Sequence, residues 1–186
     1  GGPNDGTIYV RVGPDTLICG DIWNPVEHFG ADDEFLLLVG YYRKETDKVY
    51  VRKDADCNTQ EYLIYDFDVE VGDTINCGVY WNYDITEVEM EVALIADTWV
   101  NGQLEKLFIY TYDLPGFPSL SLHVIEGVGP IYNHHPFYGL VCGNCPEEDY
   151  EFECLYLDDN LVFSNSFLNH YCAPTPDTIY VNQNLG

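Results

Sequence analysis

Apolar and polar residues alternate with a period of two along much of this chain. That spacing puts successive side chains on opposite faces of a β-strand. The clearest case is 86–99, TEVEMEVALIADTW, where Val88, Met90, Val92 and Leu94 interleave with Glu87, Glu89, Glu91 and Ala93. The same pattern predicts a strand at 7–12 (TIYVRV), a turn at 13–15 (GPD) and a continuation at 16–19 (TLIC). FLLLVGYYRK at 35–44 and KVYVRK at 48–53 flank ETD as a hairpin. EYLIYDFDVEVGDTINC at 61–77 predicts a strand, a turn at Val71-Gly72-Asp73 and a second strand. The Asn-Gly pair at 101–102 is a tight-turn signal, with LEKLFIYTYDL at 104–114 returning. SLSLHVIEG at 119–127 alternates again, and YEFECLYL with NLVFSN predicts a last hairpin across Asp158-Asp159. Residues 24–34 and 129–149 read as a loop and a long irregular segment. Such a meander of short strands predicts an all-β fold, an antiparallel β-sandwich or barrel-like domain.

One domain at 1–172 accounts for the 186 residues, followed at 173–186 by a stiff APTP linker and a terminal strand. That strand repeats the first one: TIYV stands at 7–10 and again at 178–181. A lone terminal strand would leave an apolar stripe and unpaired backbone groups in water. Each tail is therefore expected to add to a sheet edge, within its own domain or in a neighbouring copy. The second arrangement makes Ile8, Tyr9, Val10, Ile179, Tyr180 and Val181 self-association residues. An open head-to-tail contact of that kind builds filaments.

Composition supports strands over helices: 15% of residues are aromatic, Tyr occurs 16 times and Met once. Charge narrows the partners. The formal net charge is −25, and such a surface repels nucleic acid and anionic membranes. No apolar run approaches the length of a membrane span. Five of the seven basic residues, Arg43, Lys44, Lys48, Arg52 and Lys53, fall within 43–53. A compact basic patch on an acidic body can attract a copy of itself. The chain opens GGPNDG, without an initiator Met or signal peptide, and is expected to be mature, processed or trimmed.

Seven cysteines point to disulfides in an oxidising compartment. Cys57 and Cys77 bracket one segment, and Cys142, Cys145, Cys154 and Cys172 cluster later. The favoured pairing is Cys57–Cys77 and Cys154–Cys172, with Cys142–Cys145 open and Cys19 free. A zinc site from Cys142, Cys145, Cys154 and His170 or Cys172 competes, although a second ligand pair of the usual spacing is missing.

Catalytic motifs are not evident. The chain has no GxSxG, HExxH, GxGxxG or P-loop sequence, so no enzyme activity and no cofactor is expected. Structural calcium is the one ion with hard oxygen donors in turns, at Asp32, Asp33, Asp158, Asp159 and Asn160. Trp23, Trp81 and Trp99 could stack on sugars, which makes a monomeric adhesive module for glycans or calcium the alternative function.

Several stretches together resemble a β-rich domain of secreted proteins exported by the type IX secretion system. They are YYR at 41–43 with KVYVR at 48–52, EYLIYDFDVEVGDT at 61–74, WVNGQLEKL at 99–107 and HVIEGVGPIY at 123–132. Cys154 with LYLDDNLVFSN and Cys172 completes the set, which spans about 35–172. The resemblance implies export, a β fold and a cell-surface or extracellular location, but no mechanism. It also implies O-glycosylation at Asp-Thr followed by an aliphatic residue, which points to Thr16, Thr74 and Thr178. The expectation is an exported, non-catalytic structural subunit that associates with other copies of itself through its terminal strands.

Overall fold

The computed structural model describes residues 6–29, 34–81, 84–100, 102–114, 119–127, 129–130, 150–157, 160–164 and 178–183. All regular elements among them are strands. In chain order they are β1 (Gly6–Val12), β2 (Thr16–Ile18), β3 (Asp21–Phe29), β4 (Phe35–Glu45), β5 (Lys48–Arg52), β6 (Tyr62–Asp66) and β7 (Thr74–Trp81). The second half contributes β8 (Asp84–Val100), β9 (Gln103–Tyr112), β10 (Leu120–Ile125), β11 (Gly129–Pro130), β12 (Tyr150–Leu157), β13 (Asn160–Ser164) and β14 (Thr178–Gln183).

These strands form two antiparallel sheets, as the alternating pattern predicts. The larger runs β13-β12-β14-β1-β3-β4-β5-β6, with β2 also on β3. The smaller runs β11-β10-β9-β8-β7. The main core lies where β5 and β6 face the smaller sheet: Val51, Ile64 and Tyr65 pack with Val79, Met90, Val92, Phe108, Tyr110, Leu122 and Val124. At this junction β7 passes so close to β6 that a Cβ on Gly78 would lie 2.7 Å from Tyr62 Cβ.

The two ends of the chain meet. Strand β1 pairs antiparallel with β14, and β14 pairs on its other side with β12. Ile8 lies opposite Val181, and Val10 opposite Ile179. The repeated TIYV segments are neighbours in one sheet of one chain, and β14 has a strand on each side.

Two expectations need correction. Residues 24–29 are not loop but the second half of β3. Its buried residues are Trp23, Val26 and Phe29, a spacing of three rather than two. β4 carries extra residues at Val39 and Leu36 against this strand, and Pro25 adds a turn-like residue that hides it in the sequence. Likewise GPD at 13–15 interrupts the first strand without reversing it. Gly13 N–H still donates to Pro25 O at 2.8 Å, and both β1 and β2 pair with β3. The reversal comes at Cys19-Gly20, where φ is 55° and 104°, the positive-φ pair of a tight hairpin turn.

The VGDT turn is built as its residues suggest. Gly72 takes φ 94°, a conformation that suits a residue without Cβ. Asp73 Oδ2 accepts from Glu70 N–H at 2.9 Å, while Gly72 N–H donates to Val92 O at 2.9 Å.

Candidate interaction site

The basic cluster is the first candidate, and it turns inward. Arg52 is only 1% exposed. Its Nε donates to Asp54 O at 2.8 Å and its Nη2 to Asp56 O, with Nη1 3.6 Å from Glu61 Oε1. Arg43 reaches Glu45 Oε2 at 2.9 Å and Glu61 Oε2 at 3.1 Å. Both guanidinium groups lie against the buried Trp23 ring, at 5.0 Å for Arg43 and 5.2 Å for Arg52, within cation–π range. Lys48 Nζ sits 2.8 Å from Asp66 Oδ2, and this hydrogen bond raises the lysine pKa. Lys44 and Lys53 have exposed side chains. Arg43, Lys48 and Arg52 thus serve the chain itself, beside Glu45 of Arg43's own strand, Glu61 just before β6 and Asp66 in β6. Linear clustering could not show that those acids stand close by.

The arginines also hold the segment that follows β5. Asp54 Oδ1 accepts from Asp56 N–H at 2.9 Å and from Thr59 Oγ1, and Asp56 Oδ1 accepts from Asn58 N–H at 2.9 Å. The Thr59 hydroxyl first, and then the Asp56 N–H, keep the Asp54 carboxyl below its usual pKa.

A disulfide pins this segment from above: Cys57 bonds to Cys19, not to Cys77. The expected Cys57–Cys77 pair fails because the sheets separate the two residues. Cys57 stands in an exposed turn, and Cys77 points into the core at 1% exposure. Burial pushes the Cys77 thiol up to about 12. Cys19 was expected to be free, but its hairpin turn brings it 5.5 Å from Cys57, Cα to Cα. Sequence spacing missed the link because β2 and β3 return Cys19 beside the end of β5. Cys154 lies in β12, opposite Ser164. Cys142, Cys145, Cys172 and His170 lie outside the described residues.

The calcium candidates Asp32, Asp33, Asp158 and Asp159 also lie outside them, and Asn160 opens β13. Among the described residues no group of three or more His, Cys, Asp or Glu is placed to hold a metal ion. An open cavity of about 530 Å³ is lined by Thr74, Glu87, Glu89, Glu91, Thr111 and Asp113, among others. Of the threonines singled out for glycosylation, Thr74 is exposed beside the VGDT turn. Thr16 is half-buried and donates to Pro14 O at 3.1 Å, and Thr178 opens β14. Trp23 is buried and not open to a sugar, whereas Trp99 is 72% exposed at the tip of the β8–β9 hairpin, opposite Leu104.

The feature that sequence reasoning overlooked is an apolar run. Phe35, Leu36, Leu37 and Leu38 are all 40–53% exposed, although they sit in β4. A regular strand would hide every second one. Here β4 carries extra residues against β3, since Glu27 pairs Leu38 while Val26 pairs Gly40, and His28 pairs Leu37 while Phe29 pairs Phe35. Bulges at Val39 and Leu36 result, and both rows of side chains reach water. The signal was present as four consecutive large apolar residues after a charged loop.

No family model, curated protein or solved structure matches this chain. No helix among the described residues is long and apolar enough to cross a membrane.

Proposed function

We propose that this protein is an exported, non-catalytic structural subunit that works by associating with other copies of itself. The observation that carries the reading is the exposed Phe35–Leu38 run on a chain of net charge −25. A contiguous apolar patch on an otherwise highly charged surface is the mark of a contact site. The Cys19–Cys57 disulfide fits an oxidising compartment, and export itself rests on the sequence resemblance. The non-catalytic part is supported by what the buried charges do: Arg52 and Asp66 are engaged in holding turns and strands. The terminal strands fill each other's edges, so the contact falls to other surfaces. Sedimentation velocity and light scattering over a concentration and salt series test the reading. Concentration-dependent growth beyond 21.2 kDa supports it, and a monomer throughout sinks it.

A second reading has one specific observation behind it. Trp99 stands exposed at a hairpin tip with Gln103 and Glu105 on the return strand, an aromatic face with polar neighbours of the sort that stacks on sugar rings. On that reading the chain is a monomeric adhesive module, and a glycan array probed with the protein and with Trp99→Ala separates it from the first.

A further inference from the structure

The segment 53–60 lies outside every strand, and all of its residues but Thr59 are exposed. Under it Arg52 is 1% exposed. The Arg52 guanidinium donates to the Asp54 and Asp56 carbonyls on one side and rests against the Trp23 ring, at 5.2 Å, on the other. Within the segment, the amides of Asp56, Asn58 and Thr59 bond to Asp54 Oδ1, Asp56 Oδ1 and Asp56 O, each at 2.9 Å. These bonds are local. The covalent tie to the β2–β3 hairpin is the Cys57–Cys19 disulfide. Chain 19–23, the contact of Trp23 with Arg52, chain 52–57 and the disulfide close one ring. The bridge thus fixes the segment over Arg52, and Arg52 over Trp23.

We propose that the Cys19–Cys57 disulfide is a redox-operated latch: a dithiol opens it while the sheets stay folded, and the 53–60 segment then lifts off Arg52 and Trp23. Four features set it apart from a staple of the fold. Both cysteines are exposed, so a thiolate can reach the bond. Cys19 is held at φ 55°, a left-handed conformation that a non-glycine residue occupies at a cost. The closed arrangement leaves Trp23 Nε1 and Arg43 Nε buried without an acceptor among the described residues, a penalty that water removes once the segment lifts. The ladders do not need the bridge, since β2 pairs with β3 and β3, β4 and β5 pair in turn through their own backbones.

The chemistry is thiol–disulfide exchange. One thiolate of the dithiol attacks a bridge sulfur, forms a mixed disulfide and releases the other cysteine as a thiolate. The second thiol of the dithiol then displaces the protein sulfur, and the reagent leaves as a cyclic disulfide. Two electrons pass to the protein, and the two protons of the dithiol end on Cys19 and Cys57. Cys77, at 1% exposure in the core, is out of reach of this exchange. A disulfide oxidant reverses the step. The latch goes beyond the self-association reading and stands without it.

The test treats the whole chain with dithiothreitol in the absence of denaturant, and mass spectrometry after alkylation reports the two new thiols. Amide exchange reads the structure. Asp56, Asn58 and Thr59 are expected to exchange about ten-fold faster in the reduced chain, while β7 to β10 keep their rates. Acrylamide quenching of Trp23, read in Trp81→Phe/Trp99→Phe, should rise on reduction. Oxidised glutathione should restore both readings. Cys19→Ser/Cys57→Ser should show the open behaviour with and without dithiol. The exchange reading needs no tryptophan variant, so it stands even where that variant folds poorly. Protection at Asp56, Asn58 and Thr59 that survives reduction overturns the latch and makes the bridge a passive surface link. A bridge that opens only in denaturant, or a reduced chain that loses the smaller sheet as well, also overturns it and makes the disulfide a staple of the fold.

Discussion

Tyr9 lies directly opposite Tyr180 in the antiparallel ladder between the first and last strands. The repeated TIYV segment is thereby explained within one chain: each copy is the other's partner. Strand β14 also pairs with β12, so it joins the β12–β13 hairpin to the rest of the larger sheet.

Removal of the last strand should therefore loosen a defined part of the molecule. In a chain ending before Thr178, amide exchange is expected to accelerate in 6–12 and 150–164, because both lose their ladder partner. The smaller sheet, 74–125, should keep its protection, since its core contacts are with β5 and β6. Unchanged exchange in 6–12 would show that β14 does not pair there.

The strands were legible because alternation survives wherever one face is dry, as in β8 and β9. What could not be read was where a bulge changes the period. β3 buries Trp23, Val26 and Phe29 three apart, and β4 exposes four apolar residues in a row. The irregularity of β4 comes from its register against β3, which is a tertiary property. The Cys19-Gly20 turn was missed for a simpler reason, since cysteine is an unusual occupant of a positive-φ turn position. The arginine cluster was visible as a run of cations, but its inward direction depends on Glu61 and Trp23 from other strands.

The disulfide assignment makes a sharp chemical prediction. Peptide mapping under non-reducing conditions should link Cys19 to Cys57, and Cys77 should resist alkylation in the native state. Its thiol is buried and shifted up to about 12, so almost no thiolate exists at neutral pH. Cys19→Ser should lower stability by about 4 kcal/mol, the loop-closure value for a 38-residue separation. Denaturant melts of the two forms measure this, and equal midpoints would contradict it.

Close packing at the sheet junction gives a second stability test. Gly78→Ala puts a methyl 2.7 Å from Tyr62 Cβ and 2.9 Å from Ile85 Cγ2. One contact is to a side-chain atom bonded directly to its backbone, so neither neighbour can swing aside freely. The expected cost is about 1–3 kcal/mol, measured by urea unfolding. A neutral result would mean that β6 and β7 can separate without loss.

Arg52 should be the least replaceable of the basic residues. Arg52→Leu leaves the Asp54 and Asp56 carbonyls without their donor and Glu61 without one of its two cations. Loss of a buried, charged hydrogen-bond donor costs about 3 kcal/mol. Lys44→Leu, at an exposed site, should change stability by less than about 0.5 kcal/mol. Paired melting curves of the two variants compare them directly, and similar losses would refute the inward role of the cluster.

The pH dependence of stability should carry the imprint of His28. This residue lies in β3 between Val10 of β1 and Leu37 of β4. Burial there lowers its pKa from 6.5 to about 4. Between those values the unfolded chain binds a proton that the folded chain refuses, so stability falls as pH drops from about 6.5 to 4. The full effect is about 3 kcal/mol, and below pH 4 this contribution is constant. His123 is shifted downward by the same cause and adds in the same direction. Carboxylates titrate at the acid end of the range, so the measurement is a difference. Urea unfolding of the wild type and of His28→Gln at pH 7.5, 6.0 and 5.0 isolates the histidine. The variant should lose less stability than the wild type over that interval. Parallel slopes would show that His28 takes up its proton in the folded chain as easily as in the unfolded one.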